Sequence, residues 1–517
     1  MPRKERLITA NIFFNNSKTS LQEFDENAQK IARVLQAKGL KPGDVIAILM
    51  RNDLRQFELI EACRYLEISF VPLNWHGTGA ELQHILNDSG ASLLMAHADL
   101  ASAVMDDLSE ELEILVYPTP ENILLSYKLP SSGEVLLLSR WEDMTALLEQ
   151  AKPIVTGTLP FRGMFSYSSG STGRPKGIKR QVNAAQPDLY RVYEGLARTV
   201  MKLQKGDRYY ISAPVYHSAP NVLSLCCIAA RDVDVYIEVK FDAEQFLRDI
   251  ERYQITHTYI VPTMMIRLLK LPKAVREKYN ISSLKLAISS GSAWPTEVKL
   301  AMIEWFGPIF YESYGASEIG FMTLISSPEA LKKPGSVGKV LPGGSIKILD
   351  DEKTELAVGE SGSIYVYLPM FGDFAYTNSA VNDADERYQG HSTVGDIGYV
   401  DGDGYLYISD RKKDMIISGG ANIFPAEIEA AMIAMPQIAD CAVFGIADKE
   451  FGETVVAAVS CQSGHTVSLE QVQAFLHGKI SRFKYPRKLD IHDSLPRQDS
   501  GKVFKQKLRA AYAPPSS

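Results

Sequence analysis

A short segment near position 170 combines the backbone and side chains that bind phosphate. Residues 167–177 read Tyr-Ser-Ser-Gly-Ser-Thr-Gly-Arg-Pro-Lys-Gly. Glycine lets backbone N–H groups approach phosphate oxygens, Ser and Thr hydroxyls donate hydrogen bonds, and Arg174 and Lys176 offset negative charge. The segment is not a Walker A loop, because Gly177 follows Lys176 where that motif has Ser or Thr. We predict a polyphosphate-binding loop made of Ser168, Ser169, Gly170, Ser171, Thr172, Gly173 and Lys176.

The order of residues in this loop resembles the signature loop of the adenylate-forming superfamily. That superfamily comprises acyl-CoA synthetases, the adenylation domains of peptide synthetases and beetle luciferases. Composition alone is as typical of a flexible linker, so the comparison depends on residue order. Further motifs follow in the family's order over nearly the whole chain. The resemblance implies an acid–thiol ligase that uses ATP, Mg²⁺ and coenzyme A, closest to bacterial ligases of fatty or bile acids.

Residues 314–318, Tyr-Gly-Ala-Ser-Glu, resemble the family's adenine and magnesium element. The resemblance implies that Tyr314 stacks on adenine, Ser317 contacts the α-phosphate and Glu318 holds the metal ion. Read alone, the pentapeptide is typical of a glycine turn beside a surface glutamate. Upstream, residues 290–293 match the small-residue loop that packs against adenine and the substrate carboxylate.

Two motifs near position 400 resemble the ribose site and the family's pivot. The resemblance implies that Asp396 accepts hydrogen bonds from both ribose hydroxyls, assisted by Arg411. Lys413 occupies the position where the family rotates its C-terminal domain between adenylation and thioester formation. The glycine-rich residues 418–423 resemble the loop that lines the pantetheine tunnel in acyl-CoA ligases.

Lys502 closes a C-terminal motif, Leu-Pro-Arg-Gln-Asp-Ser-Gly-Lys, that begins at Leu495. In the family this lysine bridges the substrate carboxylate and the α-phosphate during adenylation. A lone lysine near a C-terminus is typically solvated surface, so the surrounding motif carries the assignment.

Two segments resemble the acyl site of the family. Residues 214–220 contain His217, at the position whose His or aromatic residue closes over the acyl group. Residues 261–269 contain Met264 and Met265, whose side chains suit either a deformable acyl pocket or ordinary core packing.

Together these motifs define a predicted site. Catalysis is assigned to Lys502, Glu318, Ser317, Lys176 and His217, and the metal ion to Glu318. The residues assigned to ATP and coenzyme A are Ser168, Ser169, Gly170, Ser171, Thr172, Gly173, Lys176, Ser290, Gly291, Ser292, Tyr314, Gly315, Ser317, Asp396, Arg411, Lys413, Ser418, Gly419, Gly420 and Lys502.

The elements that must position these residues alternate between strand and helix patterns. An amphipathic stretch from Glu23 to Lys38 precedes an apolar run at Val45–Met50, and this rhythm continues to residue 96, as in a mostly parallel sheet. Between Ile364 and Ile408 short β runs are separated by Asp-Gly turns, which predict hairpins.

The sequence therefore predicts an α/β fold: a large N-terminal body of several sheets with flanking helices, and a small, mobile α+β C-terminal domain. At 517 residues the chain exceeds what a single hydrophobic core supports. We place the N-terminal domain at residues 1–410 and the C-terminal domain at 411–517, with the hinge near Lys413.

Charge and cysteine content restrict the partners. The formal net charge of -7 gives no overall attraction to nucleic acid, and no apolar run reaches the roughly 18 residues that a membrane span needs. The five cysteines show no C-x-x-C pair, which favours a reducing, cytoplasmic location. The expected partners are a small carboxylic acid and coenzyme A or an acyl carrier protein, and a homodimer is left open.

Basic residues cluster in the last forty positions of this acidic chain. Solvated surface explains such a cluster equally well. We expect part of it to meet the phosphates of coenzyme A or the acidic face of a carrier protein. The members are Arg482, Lys484, Arg487, Lys488, Arg497, Lys502, Lys505, Lys507 and Arg509.

Other activities stay open beside the acid–CoA ligase. An acyl-AMP ligase that loads a carrier protein is disfavoured because the stretch Gly335–Tyr367 shows no obvious extra insertion. A peptide-synthetase module is disfavoured because no aspartate is evident for a substrate amino group. A nucleotide-binding pseudoenzyme is disfavoured because Lys502, Glu318 and Lys176 are intact.

Overall fold

The structure is a computed structural model that describes residues 10–130, 141–154, 161–168, 175–180, 188–292, 294–377, 386–419, 421–497 and 503–512. Most of the predicted phosphate loop, Ser169 to Gly173, lies outside the described residues, as do Gly420 and Lys502. Ser168 is described by its backbone alone.

The first 150 residues alternate strands and helices, as the sequence predicts. Ser20 and Glu23 cap the first helix reciprocally, since each side chain bonds the backbone N–H of the other. The elements are β1 Asn11–Phe14, β2 Ser17–Ser20, α1 Leu21–Ala37, β3 Val45–Leu49, α2 Leu54–Leu66, β4 Ser69–Pro72, α3 Gly79–Ser89, β5 Leu93–His97, α4 Ala98–Val104, β6 Glu113–Tyr117, α5 Glu121–Tyr127, β7 Trp141–Asp143 and α6 Met144–Gln150. A parallel sheet runs in the order β4-β3-β5-β6-β7. All of β3 and β5 is buried, as expected for strands covered on both faces.

The middle of the chain continues the alternation. Its elements are β8 Ser166–Ser168, β9 Lys176–Arg180, α7 Leu189–Thr199, β10 Arg208–Ile211, α8 Ser218–Ala230, β11 Asp234–Ile237, α9 Ala243–Tyr253, β12 His257–Tyr259, α10 Pro262–Leu269, α11 Lys273–Arg276, β13 Leu286–Ser289, α12 Thr296–Phe306 and β14 Phe310–Glu312. Strands β1, β11, β10, β12, β13 and β14 pair in that order, all in parallel.

From residue 315 the chain turns to short antiparallel strands. Its elements are β15 Gly315–Ala316, β16 Gly320–Phe321, β17 Thr323–Ser326, α13 Ser327–Lys332, β18 Ser336–Val340, β19 Ser345–Leu349, β20 Gly362–Tyr367, β21 Phe374–Tyr376, β22 Arg387–Tyr388, β23 His391–Ser392, β24 Asp396–Val400 and β25 Leu406–Arg411. The Asp-Gly turns at 401–404 join β24 and β25 as the predicted hairpin. The long sheet runs β2-β1-β11-β10-β12-β13-β14-β17-β18-β25-β24-β20-β23-β22, with β19 paired to β20. Strands β21, β9 and β8 form a small antiparallel sheet.

The C-terminal elements form a separate sheet with its own cores. They are β26 Ile416–Ser418, β27 Ala421–Ile423, α14 Pro425–Ile433, β28 Ile438–Asp448, β29 Gly452–Cys461, α15 Leu469–Leu476, β30 Lys488–Ile491 and α16 Lys505–Ala510. Side chains alternate across β28 and β29, because successive strand residues point to opposite faces. Val443 and Val455 pack with α14 and α15, whereas Phe444 and Val456 pack with Leu508 of α16.

The predicted fold class is confirmed: the molecule is α/β, with a large N-terminal body and a small C-terminal domain. The boundary at residue 410, the hinge near Lys413 and the mobility of the C-terminal domain stay predictions. None of the described helices has both the length and the apolar character that a bilayer crossing needs. The five cysteines are free thiols.

Candidate active site

A cavity of about 1230 Å³ lies beyond the carboxyl ends of the parallel strands. The loops after β10, β12, β13 and β14 contribute His217, Val261, Gly291 and Ser317 to its wall. Ligands of open α/β sheets bind at this edge, because the loops there converge from several strands. The parallel sheet thus explains why motifs far apart in sequence share one cavity.

Residues from the C-terminal segment also border the cavity. Residues 411–413, which include the predicted hinge, lie in its wall. Residues 498–502, and with them Lys502, lie outside the described part of the chain. Of the described residues around this gap, Arg497 and Phe504 line the cavity, whereas Val503 packs against a core of the C-terminal sheet. Described residues on both sides of this gap therefore line the cavity.

The cavity wall is rich in cations. Because the whole chain is acidic, this local excess of positive charge is a feature of the site and favours an anionic ligand. Among the described lining residues, seven are Lys or Arg and three are Glu: Lys176, Arg180, Arg411, Lys412, Lys413, Arg497 and Lys507 against Glu81, Glu318 and Glu386.

Ser317 and Glu318 are held by contacts from several elements. The hydroxyl oxygens of Ser218 and Ser317 lie 2.9 Å apart. The Tyr376 hydroxyl donates to Oε1 of Glu318 at 3.4 Å. The Arg180 guanidinium donates to the carbonyl oxygens of Ser317 at 2.8 Å and of Glu318 at 2.6 Å. The turn that carries both predicted functional groups is thereby fixed through its backbone and its side chains.

Two glycines of the predicted motifs sit where a side chain has no room. A Cβ on Gly315 would lie 2.4 Å from the carbonyl oxygen of Gly320, across the β15–β16 pair. A Cβ on Gly177 would lie 2.5 Å from Oγ1 of Thr377 and 2.8 Å from Cζ of Tyr167. Gly315 therefore allows close approach of a neighbouring backbone, and Gly177 allows close approach of two side chains.

Glu318 is suited to hold magnesium together with the phosphates of ATP. Burial raises the pKa of Glu318, nearby Glu386 raises it further, and Arg411 and Arg180 oppose this shift. The described residues contain no group of three or more His, Cys, Asp or Glu arranged to bind a metal ion alone. Mg²⁺ in nucleotide sites is typically held by one or two carboxylates plus substrate phosphates, so a single lining carboxylate fits it.

Tyr314, Asp396 and Arg411 form a linked group beside the cavity. The Tyr314 hydroxyl donates to Oδ2 of Asp396 at 2.5 Å, and Nε of Arg411 lies 3.2 Å from Oδ1. Burial and the adjoining carboxylate raise the pKa of the Tyr314 hydroxyl well above its usual value. A carboxylate has about four lone-pair sites, so Asp396 retains capacity to accept bonds from a ribose. Arg411 lines the cavity directly.

Other predicted residues also reach the cavity wall. Nζ of Lys176 lies 5.4 Å from the ring centroid of Tyr376. Ser290 is fixed at the end of β13 by the Tyr259 hydroxyl, which lies 3.2 Å from both its carbonyl oxygen and its Oγ. The His217 ring lines the cavity immediately before α8.

Apolar residues also line the cavity. Of the two adjacent methionines, Met264 lines the cavity, whereas Met265 is fully buried in the main core. Neighbouring helical residues point in directions about 100° apart, so Met265 packs in the core, whereas a role of Met264 in an acyl pocket stays a prediction. Other apolar lining residues include Leu189, Tyr193, Ala219, Val222, Val261 and Phe321.

Some predicted binding residues lie apart from this cavity. Ser292 is not among its lining residues. Ser418 pairs with Gly452 in the C-terminal sheet, and the Gly419 N–H donates to the carbonyl of Phe451 at 2.8 Å. The assignment of Ser418 and Gly419 to the pantetheine tunnel stays a prediction.

Lys413, by contrast, lines the cavity. Burial lowers the pKa of Lys413, and the neighbouring Arg411 lowers it further.

Much of the basic cluster is engaged in ion pairs. Lys484 pairs with Glu427 at 2.6 Å and Lys505 with Glu429 at 2.8 Å. Lys507 instead lines the cavity. Arg497 lines the cavity as well and also pairs with Asp440. Binding of acceptor phosphates by this cluster stays a prediction.

Sequence reasoning missed residues that contact the predicted functional groups. Arg180, Ser218 and Tyr376 each bond Ser317 or Glu318. A signal for Arg180 existed, because strand side chains alternate in direction. Lys176 and Arg180 are four residues apart on β9 and therefore share a face.

We expect replacement of Asp396 by asparagine to weaken ATP binding selectively. The amide nitrogen would meet the donors of Tyr314 and Arg411, and the charged acceptor for ribose would be lost. Hydrogen bonds to charged groups contribute roughly 1.5–3 kcal/mol, so KM for ATP should rise about 10- to 100-fold while KM for the acid stays unchanged. Steady-state kinetics of pyrophosphate release measures both. Exposed Asp106, outside the cavity, provides the control variant Asp106→Asn, and equal KM values for ATP in both variants would contradict the ribose assignment.

Comparison with known proteins agrees with this geometry. A family model described as AMP-binding enzyme matches residues 2–371, and one described as AMP-binding enzyme C-terminal domain matches residues 427–502. The chain is 30% identical to an indoleacetate–CoA ligase from Aromatoleum aromaticum, over 94% of this chain and 91% of that protein. It is 28% identical to ScoC, a fatty acid–[acyl-carrier-protein] ligase from Streptomyces coeruleorubidus, over 94% and 90%. The ATP-bound crystal structure of MatB from Rhodopseudomonas palustris superposes with a TM-score of 0.83 at 27% identity, over 99% of this chain and 97% of that one.

Proposed function

The chain belongs to the AMP-binding enzymes of the adenylate-forming superfamily, and from that membership we propose that it joins a carboxylic acid to coenzyme A in two steps. In the first step the carboxylate attacks the α-phosphorus of ATP, and the bond to pyrophosphate breaks to give an acyl-adenylate. In the second step the thiolate of coenzyme A attacks the acyl carbonyl and AMP leaves. The observation that carries the proposal is one cavity lined by both cationic and apolar side chains.

The barrier of the first step is mainly electrostatic, because two anions must meet while negative charge builds on the α-phosphoryl group. Lys502 approaches the carboxylate and the α-phosphate from the C-terminal segment, whose described neighbours Arg497 and Phe504 border the cavity. Lys176 faces the phosphates from β9. Ser317 donates its hydroxyl toward the α-phosphate.

Glu318 provides the carboxylate that would hold Mg²⁺ against the triphosphate. When bound, the ion supplies positive charge that screens the phosphates. The Tyr376 hydroxyl, which donates to Oε1 of Glu318, orients that carboxylate toward the cavity. Asp396 and Arg411 position the ribose, and Tyr314 packs beside it.

The second step requires a different arrangement of the C-terminal domain. Ser418 and Gly419 do not line the cavity, whereas Arg497 and Phe504 do. This supports an adenylation arrangement here and a rotation about Lys413 that brings residues 418–420 to the acyl-adenylate. His217, which lines the cavity, closes the acyl end of the site.

We assign the substrate to the hydrophobic carboxylic acids, fatty, bile-type or otherwise medium-sized. The apolar lining residues Leu189, Val222, Met264 and Phe321 support this class. Binding of the acid is stabilised by each of its apolar groups that these residues remove from water. The indoleacetate–CoA ligase relative acts on an acid with an apolar ring system, which fits the same class.

The alternative acceptor is an acyl carrier protein. ScoC, named as a carrier-protein ligase, is 28% identical to the chain and supports this reading. We favour coenzyme A because the indoleacetate–CoA ligase is 30% identical over 94% of the chain. We place the reaction in the cytoplasm, where the five free thiols stay reduced, and propose a homodimer as the assembly to test by light scattering.

The proposed function is tested by trapping the adenylate. The protein is incubated with ATP, Mg²⁺ and hydroxylamine together with fatty, bile and aryl acids, and the hydroxamate is measured. A hydroxamate with a hydrophobic acid is the expected result. No hydroxamate with any acid would favour a nucleotide-binding pseudoenzyme. Repeating the reaction with coenzyme A or a carrier protein in place of hydroxylamine separates the two acceptors.

A further inference from the structure

Arg180 joins the strand that follows the phosphate loop to the turn that carries Ser317 and Glu318. Its Nη1 donates to the carbonyl oxygen of Glu318 at 2.6 Å, and its Nη2 donates to that of Ser317 at 2.8 Å. The two nitrogens of one guanidinium thus bind two successive carbonyls. Arg is the side chain suited to this, because its planar fork presents parallel donors in a fixed geometry.

The turn itself leaves these carbonyls outside the regular hydrogen-bond ladder. β15 and β16 pair through Gly315–Phe321 and Ala316–Gly320, with residues 317–319 between them. The Ile319 N–H bonds back to the carbonyl of Ala316 at 3.3 Å. The carbonyls of residues 317 and 318 are instead bonded by Arg180, which fixes the orientation of the two peptides on either side of Glu318.

The same strand links this turn to the phosphate-binding segment. Lys176, Ile178 and Arg180 alternate along β9 and all line the cavity. β9 pairs with β21, whose Tyr376 donates to Oε1 of Glu318. The Arg180 guanidinium therefore holds the backbone of Glu318 by a hydrogen bond, and Tyr376 on the neighbouring strand holds its carboxylate.

The guanidinium stays charged in this position. Burial lowers the pKa of Arg180 to about 10, which is well above neutral pH. A cation near the predicted magnesium ligand has two opposed effects. It holds the ligand in place through the backbone, and it repels a divalent cation through its charge.

We propose that Arg180 is a positioning residue for adenylation: its bidentate grip on the Ser317 and Glu318 carbonyls aims the Ser317 hydroxyl and the Glu318 carboxylate at the α-phosphate and its magnesium ion. The inference rests on the proposed function for the roles of Ser317 and Glu318, but it does not depend on which acid or acceptor is used. Positioning outweighs charge repulsion, so loss of the guanidinium weakens magnesium-dependent nucleotide binding.

The test compares Arg180→Met, Arg180→Lys and Arg180→Ala with the matched control Lys179→Met. Lys179 is an exposed cation on the same strand and does not line the cavity. Calorimetry measures ATP binding with Mg²⁺ and with a chelator. Arg180→Met is expected to weaken binding about 10-fold with Mg²⁺ and less than about 2-fold without it, a difference of at least about 1 kcal/mol. Arg180→Lys should recover part of the loss only, because one ammonium does not bind two carbonyls in parallel, and Lys179→Met should match the wild type.

A second measurement separates positioning from folding. Guanidinium ion added at millimolar concentration should restore a measurable part of magnesium-dependent ATP binding to Arg180→Ala and leave Arg180→Met unchanged. Equal or tighter ATP binding with Mg²⁺ in Arg180→Met overturns the proposal, since charge repulsion would then dominate. An equal loss with and without Mg²⁺, accompanied by a lower melting temperature, also overturns it and leaves a purely structural role.

Nucleotide binding needs no acid, so this test is independent of the substrate. A wild-type protein that binds ATP in a magnesium-dependent way but forms no hydroxamate refutes the proposed function, and the Arg180 comparison is still decided by the calorimetric difference. A protein that forms hydroxamate equally well with and without Arg180 refutes the positioning role alone.

Discussion

Replacing Lys502 by glutamine is expected to slow pyrophosphate release about 100- to 1000-fold, with little change in KM for ATP. The ammonium would neutralise the carboxylate and the α-phosphate when they are closest, so its contribution is larger in the transition state than in the ground state. Removing a single preorganised donor of this kind costs about 2.7–4 kcal/mol of transition-state stabilisation. A coupled pyrophosphate assay at saturating ATP and acid measures the effect.

The two half-reactions give this experiment its internal control. Starting from synthetic acyl-adenylate and coenzyme A, Lys502→Gln should form thioester at a rate within about 3-fold of the wild type, because the proposed rotation removes Lys502 from the site before the thiolate attacks. Lys479, an exposed lysine of the same domain whose Nζ lies 3.5 Å from the Phe475 ring centroid, supplies the matched variant Lys479→Gln. Wild-type pyrophosphate release by Lys502→Gln would remove the basis of the proposed mechanism.

Local sequence patterns predicted the elements of this fold well. The helix predicted at 23–38 is α1, and its reciprocal cap between Ser20 and Glu23 follows from chemistry within a few residues. The Asp-Gly turns at 401–404 likewise specify their own hairpin. Local patterns did not predict the order of the strands in the sheet. For example, β1 pairs with β11, more than 200 residues away, and such a pairing depends on how the whole core packs.

In the site, likewise, residues of a local motif were predicted from the sequence, and residues that contact the motif from distant parts of the chain were not. The motif at 314–318 identified Ser317 and Glu318 because their spacing is local. Arg180 and Ser218 were missed because they contact that turn from 137 and 99 residues away. A hydrogen bond to a backbone carbonyl also leaves no trace in the sequence of its acceptor, since every residue has a carbonyl. Supporting contacts of this kind require the structure.

Replacing Glu318 by glutamine is expected to raise the Mg²⁺ requirement of pyrophosphate release and to lower kcat. A neutral amide oxygen is a much weaker magnesium ligand than a carboxylate, so the Mg²⁺ concentration needed for half-maximal rate should rise at least about 10-fold and kcat should fall about 100-fold. Titration of pyrophosphate release with Mg²⁺ at fixed, saturating ATP measures both. Glu304, exposed on α12 outside the cavity, provides the control Glu304→Gln, which should match the wild type.

The pH dependence of the same titration tests whether the carboxylate itself is the ligand. Burial raises the pKa of Glu318 above 4.5, so its protonated form persists to higher pH than that of an exposed glutamate. Magnesium binds the deprotonated form, and apparent Mg²⁺ affinity should therefore rise with pH through that raised pKa and then level off. Glu318→Gln has no such proton to lose, so the rise should vanish while Tyr376 and Arg180 still hold the turn. If the variant kept the wild-type pH profile, another group would be the titrating ligand and Glu318 would serve only to shape the turn.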